Sequence, residues 1–315
     1  MFMIVVEIIL LIIGFMLLVK GADGFVDGCS NLASSFGIPS LIIGLTVVAF
    51  GTSAPELAVS AIASLKGNSA ISVGNVVGSN ICNMFLVLGA TSLFGSLHCK
   101  RKIVSRDFIY LFLSYITLFV VSLGTYINTG KGYINRIDGL LFLCFLAIYI
   151  YSLIADARGN MKKEEKKNVT FKDILFIIIG LFAIIGGGEL VVNSAKAIAK
   201  FIGISDSVIA LTVVAIGTSL PELVTSIVSI KKVEDDIAIG NVIGSNIFNI
   251  LMILGISSTI NTLTLGFDSL IDMIVMLFGA ILVFSFNLKD QKITKNRGII
   301  LLIIYFIYVA YLFVR

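Results

Sequence analysis

Two glutamates, Glu56 and Glu222, each follow a proline within strongly apolar sequence. They belong to the strings "AFGTSAPELAVS", which starts at Ala49, and "AIGTSLPELVTS", which starts at Ala215. Because proline has no N–H and its ring clashes with the carbonyl group four residues earlier, each string predicts a broken helix. We expect carbonyl oxygens in the turns from Ala49 and Ala215 to lose their amide partners and to need other partners in an apolar medium. Carboxylate, hydroxyl and carbonyl oxygens beside one break indicate a site for a hard cation.

A second pair of strings, "GNVVGSNICN" and "GNVIGSNIFN", adds amide and hydroxyl oxygens. Their polar residues are Asn75, Ser79, Asn80 and Asn83 in the first string and Asn241, Ser245, Asn246 and Asn249 in the second. In each string the serine and the last asparagine are four residues apart, so they share one helix face. The GxxxG spacing lets neighbouring helices approach closely. An all-oxygen site suits Na⁺, Ca²⁺, Mg²⁺ or Mn²⁺, and a dry site favours Ca²⁺ over Mg²⁺, which sheds its water reluctantly.

The chain that positions these residues is predicted to be a polytopic membrane protein. Hydrophobic residues make up 58% of the sequence, charged residues 13%, and the mean hydropathy is +1.07. A soluble protein of this size needs more charge to cover its surface. The apolar runs predict ten spans, at about 3–33, 40–65, 70–95, 107–127, 134–156, 172–200, 206–230, 237–259, 267–287 and 298–314. The first run contains Glu7 and follows no basic region, so we interpret it as a span rather than a signal peptide.

The distribution of positive charge predicts the orientation of these spans. With the N-terminus outside, the loops facing the cytoplasm hold sixteen Lys and Arg, whereas the opposite loops and the C-terminus hold five. Because cytoplasmic loops retain positive residues, we expect both termini outside, the central loop in the cytoplasm, and a multi-pass location in the cell membrane. The partners predicted for the chain are hard cations of the kind that the oxygen site suits, Na⁺ and Ca²⁺ among them, and the lipid bilayer, with no nucleic acid and no permanently bound cofactor, and we expect a monomer.

The chain also contains an internal repeat. When it is shifted by 166 residues, positions 44–89 match 210–255 at 24 of 46 residues without a gap. Each copy holds five predicted spans, and an odd number means that the second copy enters the membrane from the opposite side. We expect an all-α membrane fold made of a first repeat, 1–156, a cytoplasmic linker, 157–171, and a second, inverted repeat, 172–315, with helices 2 and 7 broken. Inverted repeats are typical of secondary transporters, whose site lies between the repeats near the midplane.

The two pairs of strings resemble the alpha-repeats of the calcium/cation antiporters, specifically prokaryotic-type sodium/calcium exchangers. The resemblance implies ten helices, with spans 2, 3, 7 and 8 around the ions and helices 1 and 6 sliding across them. It also implies a set of ion ligands. These are Glu56 and Glu222, shared by Ca²⁺ and Na⁺; Thr52 and Thr218 for Ca²⁺; the Ala49 and Ala215 carbonyls with Ser53, Ser79, Ser219 and Ser245 for Na⁺; and Asn83 and Asn249 at the centre.

Asn249 departs from part of this family. Some relatives, including the potassium-dependent branch, carry an aspartate there, so the asparagine argues against potassium co-transport.

Three other functions remain open: Ca²⁺/H⁺ exchange through protonation of Glu56 and Glu222, a cation channel with a glutamate ring, and a membrane enzyme. Lys20, Asp23 and Asp27 on the first span are interpreted as an ion cluster at its cytoplasmic end, with a gating contact as the alternative.

Overall fold

The computed structural model describes residues 2–99, 101, 103–159, 170–202 and 215–314. The helices of the first half are α1 (Phe2–Phe36), α2 (Ser40–Thr52), α3 (Ala54–Leu65), α4 (Ser69–Phe94), α5 (Phe108–Thr129) and α6 (Arg136–Gly159). The helices of the second half are α7 (Phe171–Phe201), α8 (Ala215–Gly217), α9 (Leu220–Lys231), α10 (Asp235–Ile260), α11 (Phe267–Asp290) and α12 (Lys295–Leu312). The structure is therefore an all-helical fold apart from its short connections.

Most of the predicted spans coincide with these helices. Eight described helices are long and apolar enough to cross a membrane, and α2 and α3, bent by 47° at their junction, make a ninth when they are counted as one span. The span predicted at 206–230 lies partly outside the described residues, which resume at Ala215. Helices suit a bilayer because they satisfy their backbone hydrogen bonds internally.

Four π-helical turns interrupt the α-helical pattern in the described chain, and the sequence analysis did not predict them. They are Gly44–Val48 in α2, Asn83–Val87 in α4, Ile103–Asp107 before α5 and Asn249–Leu254 in α10. The turns in α4 and α10 start at repeat-related asparagines. Such turns recur at functional sites because they locally re-aim side chains and shift hydrogen bonds.

Two short antiparallel ribbons join the helix connections, a feature that an all-α prediction does not include. β1 (Leu97–His98) pairs with β4 (Lys292–Ile293), and β2 (Gly132–Ile134) pairs with β3 (Leu263–Leu265). Pairing satisfies backbone groups that the helix ends leave without partners. Each ribbon holds two connections on the same side of the helix bundle.

The hydrophobic interior divides into two clusters. The larger cluster fills the bundle around α4 and α10, and every residue from 237 to 255 is buried. The smaller cluster lies mainly between α1 and α7, with a few residues contributed by α2, α9 and α10. The α1/α7 pair therefore forms a packing unit beside the main bundle.

Glycines hold α1 and α7 close together in an antiparallel arrangement. A Cβ atom at Gly14 would lie 2.9 Å from the Gly187 carbonyl oxygen, and one at Gly21 would lie 2.9 Å from the Gly180 carbonyl oxygen. Farther along, a Cβ atom at Gly28 would lie 2.8 Å from a carbonyl oxygen of α7. Residue numbers rise along α1 as they fall along α7, so the two helices run in opposite directions.

This close approach predicts different outcomes for two glycines of one helix. Gly21→Val should destabilise the protein by about 1–3 kcal/mol because its side chain would overlap the backbone of α7. Gly24→Val is the matched control, since a Cβ atom there meets nothing within 4 Å while the change in helix propensity is the same. Thermal unfolding in detergent should show a lower midpoint for Gly21→Val; equal midpoints would contradict the packing account.

Candidate cation site

Both predicted helix breaks that flank the site are present. α2 ends at Thr52, Ser53 adopts φ −83° and ψ 4°, and α3 starts again with a proline in its first turn. In the second copy Ser219 adopts φ −89° and ψ 5° before α9, which also has a proline in its first turn. Glu56 and Glu222 therefore lie in the first turns of new helices, where the helix dipole favours negative charge.

The prediction that the first break frees backbone carbonyls was wrong. The Ala49 carbonyl accepts a hydrogen bond from the Ser53 N–H at 3.1 Å, and the Gly51 carbonyl also accepts a backbone N–H. In the second copy the Ser219 N–H donates to the Ile216 carbonyl at 3.1 Å. The bridge-region conformation of the serines keeps these hydrogen bonds in the last helical turn, so the break redirects the chain without leaving these acceptors unpaired.

The structure brings the predicted site residues together in the interior. Those that are buried are Ala49, Thr52, Ser53, Glu56, Ser79, Asn83, Ser219, Glu222, Ser245 and Asn249. Thr218 is partly buried, and the backbone of Ala215 opens α8 directly after the undescribed segment. Both carboxylates are completely buried, with exposures of 0%.

Each carboxylate has one oxygen that accepts hydrogen bonds and one that does not. Glu56 Oε1 accepts from the Ser79 hydroxyl at 3.3 Å, and Glu222 Oε1 accepts from the Ser53 hydroxyl at 3.2 Å and the Ser245 hydroxyl at 3.4 Å. Glu56 Oε2 and Glu222 Oε2 have no partner among the described residues.

Threonine and serine hydroxyls link the two copies across this centre. Thr52 interacts with Glu222, donates to Asn241 Oδ1 at 2.9 Å and lies 3.4 Å from the Ser245 hydroxyl. Thr218 interacts with Glu56 in the equivalent way. Each threonine therefore lies against the carboxylate of the other repeat.

Asparagine side chains make a reciprocal set of contacts. Asn83 Nδ2 donates to Asn246 Oδ1 at 3.4 Å, and Asn249 Nδ2 donates to Asn80 Oδ1 at 2.9 Å. These two pairs are exchanged by the repeat shift of 166 residues. The remaining oxygens, Asn83 Oδ1 and Asn249 Oδ1, are buried and have no partner in the described chain.

Among the predicted site residues, four buried oxygens thus lack partners in the described chain, two from carboxylates and two from amides. Buried polar atoms without hydrogen bonds are costly and rare in native proteins, and buried charges need a counter-charge. The described residues contain no group of three or more His, Cys, Asp or Glu side chains able to hold a metal. A cation at this centre would therefore be held by oxygens of mixed type, with two carboxylates supplying the negative charge.

Asn75 and Asn241 support the helices that carry the carboxylates, although neither was predicted to be an ion ligand. Asn75 Nδ2 donates to the Glu56 carbonyl at 3.2 Å and to the Ser60 hydroxyl at 2.9 Å. Asn241 Nδ2 donates to the Glu222 carbonyl at 3.3 Å and to a serine hydroxyl of α9 at 3.1 Å. Their identity in both copies was the available signal. They fix the first turn of each helix that carries a glutamate.

This support predicts a stability loss at Asn75. Asn75→Ala should destabilise the protein by about 1–3 kcal/mol because it leaves the Glu56 carbonyl and the Ser60 hydroxyl without their donor. Asn128→Ala, at an exposed position of α5, is the control. Thermal unfolding of the two variants in detergent tests this, and an unchanged midpoint for Asn75→Ala would show that the amide is dispensable.

The sequence of the chain is similar to a known protein family along nearly its whole length. The family model described as sodium/calcium exchanger protein matches residues 6–155 and 172–314. The chain is 37% identical over 327 residues to the putative antiporter CaxA of Alkalimonas amylolytica, across 98% of this chain and 99% of that protein. It is 33% identical over 348 residues to the sodium/calcium exchanger MaX1 of Methanosarcina acetivorans, across 99% of both.

Solved structures of the sodium-calcium exchanger NCX_Mj have the same fold. The form soaked with 10 mM Na⁺ and zero Ca²⁺ gives a TM-score of 0.86 at 34% identity, covering 98% of this chain and 99% of that one. The form soaked with 2.5 mM Na⁺ and 10 mM Sr²⁺ gives a TM-score of 0.85 at 33% identity, with the same coverage.

Proposed function

Because the chain belongs to the sodium/calcium exchanger protein family, we propose that it exchanges Na⁺ for Ca²⁺ across the membrane by alternating access. The family makes it a multi-pass membrane transporter of cations and not an enzyme. The observation that carries the proposal is the set of four buried oxygens without partners, two of them on carboxylates from repeat-related broken helices.

We assign the ion ligands by the chemistry of each oxygen. Glu56 and Glu222 bind both Ca²⁺ and Na⁺, because their Oε2 atoms are buried carboxylate oxygens without partners in the described chain. Thr52 and Thr218 lie against the opposite carboxylates and add hydroxyl oxygens to the Ca²⁺ site. The flanking Na⁺ ligands are Ser53, Ser79, Ser219, Ser245 and the carbonyls of Ala49 and Ala215, with Asn83 and Asn249 at the centre.

Charge balance explains why such a site exchanges ions. Two buried carboxylates are neutralised by one Ca²⁺ or by two or more Na⁺, and the shared ligands cannot serve both loads at once. Without ions the two charges stay buried and repel each other, which makes a change of access costly. Movement of the site from one side to the other therefore requires a bound load, and the result is exchange instead of leak.

The architecture that we propose is ten helices in two inverted five-helix repeats. The antiparallel α1/α7 pair and the reciprocal asparagine contacts both support it. The pairing of β1 with β4 also supports it, because it requires an even number of membrane crossings between the two strands. β1 and β4 lie on one side, so an even number of crossings separates them, and α5, α6, α7, α10 and α11 supply only five. We propose that the segment containing α8 and α9 makes the sixth crossing.

The proposed orientation and location follow from the charge distribution. The sixteen Lys and Arg in alternate loops favour a cytoplasmic location for those loops, with both termini outside the cell membrane. Both glutamates, the hydroxyls and the asparagines come from a single chain, so we propose that a monomer carries out transport.

Exchange of Ca²⁺ for H⁺ is the second candidate. It is favoured by the complete burial of Glu56 and Glu222, since protons could neutralise the same two carboxylates that Na⁺ would. The two mechanisms share every ligand, so only the identity of the counter-ion separates them.

Removal of either carboxylate should abolish exchange. In proteoliposomes with an outward Na⁺ gradient, Glu56→Gln and Glu222→Gln should lower Ca²⁺ uptake to the level of protein-free vesicles, because each variant leaves one negative charge for a divalent load. Glu7→Gln, near the start of α1 and outside the site, is the control and should transport like the unmodified protein. Full Na⁺-driven uptake after both glutamates are replaced would rule out the proposed site.

The counter-ion can be identified with the unmodified protein. At clamped pH, Ca²⁺ uptake should follow the imposed Na⁺ gradient and stop when Na⁺ is replaced by choline. Uptake that follows only a proton gradient would establish Ca²⁺/H⁺ exchange in its place. Uptake that needs neither counter-ion would indicate a channel.

A further inference from the structure

We propose that Lys232 positions the α1/α7 helix pair in one access state of the transport cycle, through Asp23 and Asp27, and that Lys66 takes the equivalent role through Glu189 in the opposite state. This proposal rests on the alternating access proposed above. Lys232 would fasten the helix pair to the bundle on the cytoplasmic side, and Lys66 would do so on the outer side.

Lys232, directly after α9, contacts two aspartates of α1. Its ammonium group lies 3.0 Å from Asp23 Oδ1 and 2.6 Å from Asp27 Oδ1, and it donates to the Asp23 carbonyl at 2.8 Å. A lysine ammonium has three N–H donors, so these bonds use all of them. Partial burial alone would lower the pKa of Lys232, but hydrogen bonds with Asp27 and Asp23 hold that pKa above its usual value, so the group stays charged.

A second contact reinforces the same end of α1. The Ser30 hydroxyl donates to a carboxylate oxygen of Glu234, two residues after Lys232. On the same helix, Asn31 Nδ2 donates to Asp173 Oδ1 of α7 at 2.9 Å. α1 is thus joined by side-chain bonds both to its partner helix and to the connection between α9 and α10.

These contacts hold the α1/α7 helix pair, which has its own place in the hydrophobic interior. The smaller cluster is made mainly of α1 and α7 residues, and the glycines between the two helices give them a close, shared interface. The alternating access proposed above requires the α1/α7 pair to shift as one body against the larger bundle. Lys232 and Glu234 belong to a bundle connection, so their bonds to α1 oppose that shift.

The internal repeat places a matching set of residues at the other end. A shift of 166 residues relates Lys232 to Lys66, Asp23 to Glu189 and Asp27 to Asn193. The turns match as well, since the residue after each lysine has a positive φ, 62° at Val233 and 71° at Gly67. Lys66 thus lies in the turn of the first repeat that is equivalent to the turn of Lys232. On α7, the residues equivalent to the two aspartate partners of Lys232 are Glu189 and Asn193.

The two repeat-related lysines differ in their ion pairs. Lys66 and Glu189 are both exposed, and neither forms an ion pair with any part of the chain that the structure describes. In an inverted-repeat transporter, access alternates as one repeat moves against the other around a fixed site. In the opposite state the repeats exchange their arrangements, so Lys66 meets Glu189 while Lys232 leaves Asp23 and Asp27. With the orientation proposed above, this structure is fastened on the cytoplasmic side.

The first test uses single substitutions and measures each membrane face separately. Lys232→Gln should release the cytoplasmic contact, raising the apparent Ca²⁺ affinity from the cytoplasmic face and lowering it from the outer face, each by about two- to fivefold, the range typical of exposed ion pairs. Lys66→Gln should have the opposite effect, and Lys232→Arg should restore the unmodified values. Asn193→Asp, which adds a second acid near Lys66, should act in the same direction as Lys232→Gln.

The second test uses paired cysteines in a Cys144→Ser background, which removes the only exposed cysteine of the described chain. A short bifunctional thiol reagent should link Asp27→Cys to Lys232→Cys, and Asn193→Cys to Lys66→Cys. Each link should stop exchange, and the second should form faster when Lys232 is also replaced by glutamine.

The outcomes separate this proposal from the function itself. A variant that carries both cysteine pairs should form only one link per molecule. If affinities at both faces shift alike, or not at all, or if that variant forms both links in one molecule, the positioning role is wrong while Na⁺-driven uptake by the unmodified protein still stands. If the unmodified protein shows no Na⁺-driven uptake, the proposed function fails, and the links still report whether the two contacts alternate.

Discussion

Two carboxylates buried within one apolar interior impose the main constraint on this protein. Glu56 and Glu222 have no exposed surface, and each keeps one oxygen without a hydrogen-bond donor among the described residues. Charge in such a place is tolerated only with compensation. The broken helices, the serine hydroxyls and the asparagines supply part of it, and they leave a cluster of unpartnered oxygens that a cation would complete.

The repeat explains how one chain builds that site. Neither copy is sufficient, because Ser53 of the first copy bonds Glu222 of the second, and Asn83 and Asn249 each reach the opposite repeat. Support from within each copy, such as the bond from Asn75 to the Glu56 carbonyl, fixes the helix that carries the carboxylate. The two copies thus contribute side chains to one buried cluster while each positions its own acid.

The approximate symmetry of the site does not extend to the ends of the molecule. Lys232 holds α1 through two aspartates, whereas the repeat-related Lys66 is exposed. A glycine-lined interface joins α1 to α7, and the smaller hydrophobic cluster lies mainly between these two helices. The described residues therefore combine a nearly symmetric centre with asymmetric ends.

Local properties of the sequence were enough to predict the membrane class, most spans, the repeat, both helix breaks and the glutamates in the turns that follow. Hydrophobicity, proline sterics and identity between copies can all be seen along the chain, without knowing which helices touch. The tertiary structure alone decided that the Ala49 carbonyl keeps its amide partner, that π-helical turns start at Asn83 and Asn249, and that Lys232 meets Asp23 and Asp27. These features depend on the angle of each break and on contacts between helices far apart in sequence, and no local pattern specifies them.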